Sequence, residues 1–227
     1  MSSATVDKSQ KALGCKGFGI PSYRVGYTTT MQYQARTFEI PELKGISKKS
    51  IEEHLGLYQG YVKNFNAISA LLPEYAKDSE KHAHALSELL RRRSFEFDGM
   101  RLHELYFAQF EGGAQPLTPG SALSEALKKE YMDVAHVVPY LKAIGSMRGP
   151  GWAILYWDNE AGQFLAGFVG EQHQGHFATL PIVLALDVWE HAYLLDHGAQ
   201  GKAAYLDAFF ENLNWPVLEQ RFARIAK

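Results

Sequence analysis

The segment "DVWEHAY" at 187–193 places a carboxylate and an imidazole four residues apart, directly after an apolar run. These groups are among the oxygen and nitrogen ligands that proteins offer to Fe, Mn and Zn. The preceding run, "LPIVLAL", predicts a buried strand, and an ionised Asp187 buried at its end needs a counter-charge. Asp187 and His191 therefore form either half of a metal site or a buried polar pair where a strand meets a helix.

Two further histidines lie on aromatic faces of predicted helices. His54 recurs in phase with Tyr58 and Tyr61, and His103 in phase with Tyr106. Either one alone would be interpreted as a core histidine bonded to a carbonyl or a tyrosine hydroxyl, because a buried imidazole needs a partner. With Asp187 and His191 they complete a set of three imidazoles and one carboxylate, which suits Fe, Mn or Zn. We interpret the remaining histidines as surface or structural residues, apart from those at 173 and 176.

The hydropathy pattern predicts the elements that must position these side chains. Helical periodicity begins after Ser47, and a break is expected at Asp98–Gly99 between two later helical segments. Three short apolar runs predict strands, namely "GWAILYW", "QFLAGFVG" and "LPIVLALD". The predicted fold class is α+β, with an N-terminal helical hairpin and a C-terminal domain whose three-stranded antiparallel sheet is flanked by helices.

Composition along the chain suggests where these units begin and end. Residues 1–35 lack a clear period and are predicted to be an N-terminal extension. The Gly- and Pro-rich stretch "EGGAQPLTPGS" is the best linker. We therefore expect a helical hairpin domain at 36–118 and an α/β C-terminal domain at 119–227.

Charge and cysteine content exclude several classes of function. Lys and Arg number 23 against 25 Asp and Glu, so no global positive field favours nucleic acid. The single cysteine, Cys15, excludes sites built from several thiolates and suits a reducing compartment. No apolar run reaches the length of a membrane span, and no secretory signal is visible. We expect a cytoplasmic protein that binds neither membranes nor nucleic acid.

Four stretches make the pattern specific. They are "DVWEHAY", "NLNW" at 212–215, "PGW" at 150–152 and "FDGMRLHELYF" at 97–107. From about residue 38 to the C-terminus, their order and spacing resemble the iron/manganese superoxide dismutase family. The resemblance implies one Fe or Mn ion per chain, which cycles between two oxidation states while superoxide becomes oxygen and hydrogen peroxide.

The resemblance also implies the ligands. Asp187 and His191 match two ligands of the family's motif, and His103 matches a third, four residues after Gly99. The family's first ligand lies eight residues before a Tyr–Val pair, here Tyr61–Val62. Eight residues back is Glu53, whereas His54 is seven back. A one-residue deletion, absorbed by a local bulge of the helix, favours His54, with Glu53 as the alternative.

Tyr61 resembles the family's gateway tyrosine, which helps to pass protons to the site. It should bond a Gln or His between the second and third strands, where "EQHQGH" at 171–176 offers His173 and Gln172. His173 resembles the branch that uses histidine and leans toward iron; Gln172 is the near alternative, and a polar surface loop is the other interpretation. Trp152 and Trp189 match the family's aromatic residues around the metal, and Phe107 stands where a tryptophan is usual.

A homodimer, or a tetramer, is the assembly that the resemblance implies. Glu190 resembles the glutamate that crosses the interface to the partner's His191, and Tyr193 normally meets a histidine of the partner's first helix. Tyr58 stands in that histidine's place, so this contact must differ here. Lys202 stands where an arginine is common, which predicts weaker attraction of the anionic substrate.

Two other functions fit parts of the pattern. A non-haem iron oxygenase uses two histidines and one carboxylate, and a fourth ligand at His54 argues against it. A non-catalytic or repurposed metal-binding relative would explain the altered first helix, but it has no need of four ligands. The sequence does not decide between iron and manganese.

Overall fold

The structure, a computed structural model, describes residues 32–226. Its helices are α1 (Lys48–Ala76), α2 (Ala83–Ala108), α3 (Ala122–Tyr131), α4 (Val137–Gly145), α5 (Leu194–His197), α6 (Lys202–Glu211) and α7 (Trp215–Ile225). Its strands are β1 (Gly151–Asp158), β2 (Gln163–Gly170) and β3 (Ile182–Asp187). The predicted α+β class is confirmed. Most of the predicted N-terminal extension, with Cys15, lies outside the described residues.

Helices α1 and α2 form the predicted antiparallel hairpin. Ser47 caps α1, with its Oγ accepting a hydrogen bond from the Ser50 amide at 3.1 Å. The buried residues of α1 recur every three or four positions, which gives one apolar stripe that packs on α2. Within residues 32–226, neither of these long helices nor any other is apolar enough to cross a membrane.

The predicted break at Asp98–Gly99 is wrong, because α2 continues through both residues. Gly99 has a packing purpose inside the helix. A Cβ atom built on Gly99 would lie 2.6 Å from Cδ1 of Tyr61. The missing side chain therefore lets the Tyr61 ring lie directly against the α2 backbone.

The sheet has the order β2-β1-β3 and is antiparallel throughout. The central strand β1 is almost entirely buried, as expected for a strand covered on both faces. β3 ends at Asp187, which pairs in register with Trp152 near the start of β1. The end of β3 therefore brings Asp187 to the part of the core that α1 and α2 cover.

Helical periodicity over 125–144 predicts one helix, whereas the structure divides this region between α3 and α4. Met132 adopts a left-handed φ of +63°, which stops α3, and a single 3₁₀ turn precedes α4. Both helices pack against the sheet, and neither carries one of the four candidate ligands. The domain limits at residues 36 and 119 stay predictions.

Candidate metal centre

Four side chains meet in the core between α1, α2 and the end of β3. They are His54, His103, Asp187 and His191, and one ligand atom from each lies within 4.8 Å of all the others. Asp187 Oδ2 lies 3.1 Å from His54 Nε2 and 3.2 Å from His191 Nε2. His103 Nε2 is 3.5 Å from the same oxygen. Ligand atoms about 2.1 Å from one ion lie at most about 4.2 Å apart, so a small contraction would give a mononuclear site.

His103 shows that this cluster fits a metal ion. Its Nδ1 lies 2.6 Å from the Gly99 carbonyl oxygen, which can only accept, so Nδ1 carries the proton. Nε2 is then an unprotonated acceptor, and it is buried without a hydrogen-bond partner. A buried acceptor left without a donor is unfavourable, and a metal ion at Nε2 would satisfy it. Three imidazole nitrogens and one carboxylate oxygen suit Fe or Mn.

The cluster also favours the protonation states that bind metal. Burial lowers the pKa of His54, and it lowers that of His103 to about 3. Burial alone would raise the pKa of Asp187, but His191 and His54 together hold it below its ordinary value. At neutral pH His54 and His103 are therefore neutral and Asp187 is ionised, as metal ligands must be.

Helix α1 distinguishes the two ligand candidates near its start. His54 is only 2% exposed and faces the cluster. Glu53 is exposed, and its carboxylate lies 3.7 Å from Nζ of Lys49 on the helix surface. The geometry therefore brings His54 to the centre and leaves Glu53 in solvent.

The shorter spacing between His54 and Tyr61 needs no bulge. Helix α1 is a continuous α-helix over Lys48–Ala76. At about 100° per residue, seven residues return to nearly the same face of a helix, so both side chains point to the same side. The Tyr61 ring lies 5.0 Å from the His103 ring, next to the cluster.

A tight loop after β2 carries Gln172 into the core. Gly170 and Gln174 exchange backbone hydrogen bonds of 2.8 and 3.1 Å, which enclose three residues. The first of these, Glu171, has a left-handed φ of +51°. The second, Gln172, is fully buried, although it lies in a loop.

The Gln172 amide connects Trp152 to Tyr61. Trp152 Nε1 donates to Gln172 Oε1, and Gln172 Nε2 donates to the Tyr61 hydroxyl, both at 2.8 Å. An indole nitrogen can only donate, so the amide is fixed with its NH₂ group toward Tyr61. The Tyr61 hydroxyl accepts this bond and keeps its own proton for another acceptor. Burial, with nearby Asp187 and Glu96, raises the pKa of Tyr61, so the phenol is protonated at neutral pH.

His173 lies beside this arrangement. Its Nδ1 is 3.9 Å from a Glu171 carboxylate oxygen, and its ring packs edge-on against Phe95 at 5.6 Å. Of the two predicted candidates, Gln172 bonds the Tyr61 hydroxyl, whereas His173 packs against Phe95.

Aromatic rings enclose the imidazoles, at the three positions that the resemblance implied. The ring pairs are Trp152 with His103 at 5.1 Å, Phe107 with His54 at 4.9 Å and Trp189 with His191 at 5.7 Å. Such packing holds each imidazole in one orientation, which a metal ligand requires.

Tyr205 on α6 is a contact of the site that the sequence analysis missed. Its hydroxyl donates to the Asp187 carbonyl oxygen at 2.7 Å and lies 3.2 Å from the Tyr106 hydroxyl. In the sequence it is one aromatic residue within a helical pattern, and no spacing rule connects it to Asp187. Only the packing of α6 under the end of β3 reveals the contact.

His191 is the ligand candidate nearest the surface. Its side chain is 20% exposed, and it lines a cavity together with Glu190, Tyr193, Lys202 and Arg148. Glu190 is exposed, whereas Tyr193 is largely buried. The centre is thus closed toward the core and open on this side.

Tyr58, the residue in place of the family's interface histidine, lies in the core of the protomer. It is fully buried, and its hydroxyl donates to Glu104 at 3.1 Å and accepts a bond from the Arg36 amide at 2.8 Å. Its hydrogen-bonding groups are therefore used within the protomer.

Comparison with known proteins agrees with this geometry. Residues 119–221 match the family model described as iron/manganese superoxide dismutases, C-terminal domain. The iron superoxide dismutase of Saccharolobus solfataricus is 30% identical over 210 residues, which cover 86% of this chain and 98% of that protein. This chain belongs to the iron/manganese superoxide dismutase family. The membership covers both the helical hairpin and the sheet domain.

Other members of the family span both metals. The iron superoxide dismutase of Cupriavidus metallidurans is 34% identical over 190 residues, 82% of this chain and 92% of that protein. A manganese superoxide dismutase of Haloferax volcanii is 31% identical over 167 residues, 73% of this chain and 80% of that protein. This superoxide dismutase family member is therefore similar to enzymes named for either ion.

Proposed function

We propose that this protein is a superoxide dismutase, which converts two superoxide anions and two protons to oxygen and hydrogen peroxide. The observation that carries the proposal is the convergence of four ligand atoms, three of them from buried residues, including the unpartnered Nε2 of His103. His54, His103, Asp187 and His191 would hold an Fe or Mn ion, which would supply the electron transfer between successive superoxide anions. A relative that binds no metal would not explain why this acceptor is kept unpaired, and metal-normalised superoxide decay separates a dismutase from a non-catalytic or repurposed metal-binding relative.

The four ligands also set the charge of the site. Three neutral imidazoles and one carboxylate cancel only one positive charge of a divalent or trivalent ion. The remaining positive charge attracts an anion, and Lys202 and Arg148 line the cavity beside His191. A substrate as small as superoxide needs no larger pocket.

The protons for hydrogen peroxide come from the solvent side of Tyr61. The raised pKa of Tyr61 keeps its hydroxyl protonated, and the Gln172 amide fixes that hydroxyl beside the ligands. We assign Tyr61 to proton delivery and Gln172 to orienting it. We assign His173, the other predicted candidate, no role in orienting Tyr61.

Superoxide decay, normalised to the Fe and Mn in the same sample, tests the function. We expect decay well above that of the free ions for the wild type, and its loss in Asp187→Ala together with loss of metal. Asp207→Ala is the control, since Asp207 is an exposed carboxylate that pairs with Lys142 on the surface. Stoichiometric metal without decay above the free-ion rate would contradict the proposal.

A matched pair of substitutions in α1 tests the ligand set of His54, His103, Asp187 and His191. His54→Ala should reduce bound metal strongly, because it removes one of the four ligands. Glu53→Ala should keep the wild-type metal content, because Glu53 is exposed. Metal analysis after dialysis gives the result, and loss of metal only in Glu53→Ala would reverse the assignment.

We propose a homodimer, with Glu190 and Tyr193 at its interface. Supporting observations are the partial exposure of His191 and the exposed leucines that follow it, Leu194 and Leu195, at 44% and 46%. The partner's Glu190 would accept a hydrogen bond from His191, as carboxylates do for ligand imidazoles. Leu195→Glu should shift sedimentation velocity toward the monomer, with Leu90→Glu on α2, also exposed, as control.

A cytoplasmic location stays a prediction, and the sequence makes no choice between iron and manganese. The location rests on the single cysteine of the sequence. Metal analysis of the purified protein, compared with its metal-normalised activity, identifies the working ion.

A further inference from the structure

A second histidine of the β2–β3 connection, His176, contacts the backbone of Gln172. Its Nε2 lies 3.1 Å from the Gln172 carbonyl oxygen, and its Nδ1 lies 2.8 Å from the Tyr156 hydroxyl. A carbonyl can only accept, so Nε2 carries the proton. Nδ1 of the neutral ring is then an acceptor, and the Tyr156 hydroxyl donates to it.

Tyr156, which bonds His176, is held rigidly in the sheet. It lies on the central strand β1, paired on one side with Leu165 and on the other with Ile182, and it is only 1% exposed. Its ring packs edge-on against Phe177 at 5.3 Å. The hydroxyl is thus fixed to the middle of the sheet, and it holds the imidazole of His176 in one orientation.

The loop needs such a restraint. Glu171 has a left-handed backbone, which is unfavourable for a residue with a side chain. Two bonds hold that residue, from its amide to Pro150 O at 3.1 Å and from Trp189 Nε1 to its carbonyl at 3.2 Å. The bond from His176 fixes the following peptide, which carries the Gln172 side chain toward Tyr61.

We propose that His176, anchored by Tyr156, is a positioning residue for the reaction: it fixes the Gln172 peptide and thereby aims the Gln172 amide at Tyr61. The proposal rests on the proposed roles of Gln172 and Tyr61. His176 touches neither the ligands nor the substrate, and acts only through the loop.

The test uses the full-length, metal-loaded protein with three substitutions. His176→Phe removes both bonds, Tyr156→Phe removes the anchor, and His176→Gln keeps an N–H donor for the carbonyl. His136→Phe is the control, because His136 also bonds a carbonyl, that of Tyr131 at 2.9 Å, but is exposed and lies between α3 and α4. Metal content and thermal unfolding verify that each variant is folded and loaded.

The readouts are the azide dissociation constant and the midpoint potential of the bound metal, alongside superoxide decay per metal. A displaced Gln172 changes the polar surroundings of the site, so His176→Phe should change azide affinity and decay by about threefold or more. Tyr156→Phe should change them in the same direction by less, His176→Gln should stay within about twofold of wild type, and His136→Phe should match it.

The proposal is overturned if loaded His176→Phe has the azide affinity and potential of the wild type. If His176→Phe does not fold, Tyr156→Phe decides in the same way, because it removes one hydroxyl only. The two proposals fail separately. A wild type that binds metal and azide without dismuting superoxide contradicts the function, whereas an azide affinity that shifts in His176→Phe still supports the positioning role.

Discussion

Asp187 has a separate partner for each of its oxygen atoms. Oδ1 accepts a bond from the Trp189 amide at 2.8 Å, the carbonyl accepts from Tyr205, and Oδ2 faces the three imidazoles. The carboxylate therefore cannot rotate without losing the Trp189 bond. One residue thus fixes the direction from which the ligand oxygen approaches the ion.

Replacing Gln172 by leucine should reduce superoxide decay, whereas replacing His173 by leucine should not. Gln172→Leu leaves the buried Trp152 N–H without an acceptor, which costs about 1–3 kcal/mol of stability. It also frees Tyr61, so superoxide decay per metal should fall about 10- to 100-fold. His173→Leu should leave decay within about twofold of the wild type, because His173 lies against the Phe95 ring and the Glu171 carboxylate, whereas Gln172 holds the Tyr61 hydroxyl.

Urea unfolding and metal-normalised decay of the two variants give the answer. A large loss of decay in His173→Leu with little change in Gln172→Leu would mean that His173 is the residue that acts on Tyr61. Metal content must be equal in both samples, so that ligand loss is not mistaken for loss of orientation.

Single residues of the site differ in how far the sequence predicts them. Asp187 and His191 are candidates from their spacing after an apolar strand, and the family resemblance implies that they are ligands. Gln172 and His173 could not be separated, because they lie in a three-residue loop where a left-handed residue ends the strand alternation. Tyr205 could not be predicted at all, since its contact depends on where α6 packs.

At the scale of elements, the contact between α1 and α2 depends on the absence of one side chain. The Tyr61 ring occupies the space where a Cβ of Gly99 would lie. The helical period predicts both helices, but it treats glycine as a breaker, which is why a break at Asp98–Gly99 was expected. Close packing of a ring on a helix backbone is a tertiary effect that overrides this propensity.

Two glycine substitutions should therefore have opposite effects on stability. Gly99→Ala forces the Tyr61 ring to move and should destabilise the protein by about 1–3 kcal/mol, with lower decay per metal. Gly60→Ala, within α1 and with nothing inside 4 Å of the new Cβ, should stabilise it by about 0.5–1 kcal/mol. Equal changes in the urea midpoint for the two variants would show that packing against Gly99 is unimportant.

The connection between α3 and α4 shows a second limit of the sequence pattern. Helical periodicity continues through 125–144, yet the left-handed φ of Met132 ends α3 there. Met132 is 85% exposed, so no apolar contact opposes the turn. The direction of such a turn depends on how α4 packs on the sheet, and a local pattern contains no information about it.

For the whole molecule, the buried imidazoles connect stability to pH. Unfolded histidine binds a proton near pH 6.5, whereas the folded pKa of His103 is about 3 and that of His54 is also lowered. Between these values the unfolded chain binds more protons, so stability falls as the pH falls. Each group contributes up to about 1.4 kcal/mol per pH unit. Asp187, whose pKa is lowered, acts in the same direction at lower pH.

We expect the urea midpoint of the metal-free protein to fall steadily from pH 7 to pH 4.5. His103→Phe, which cannot bind a proton, should give a shallower slope. His84→Phe should keep the wild-type slope, because His84 is exposed on α2. Identical slopes in all three proteins would mean that His103 is not held neutral in the fold.

Most of the overall architecture was predictable, because the apolar periods of its helices and strands are strong and in the order of the family. The packing of distant elements against one another was not predictable from the sequence. This packing determines which side chains come together at the metal centre. Sequence spacing favoured His54 but kept Glu53 as an alternative, and the orientation of α1 against β3 separates them.

The partial exposure of His191 has a consequence for how the protein acquires its metal. His54, His103 and Asp187 are sealed in the core, so an ion reaches a folded chain most directly past the His191 edge. The proposed dimer interface, at Glu190 and Tyr193, borders that edge and would narrow it. Metal would then enter a separate protomer more readily than the assembled dimer, so the ion that the newly made protomer meets in the cell would be favoured in the finished enzyme.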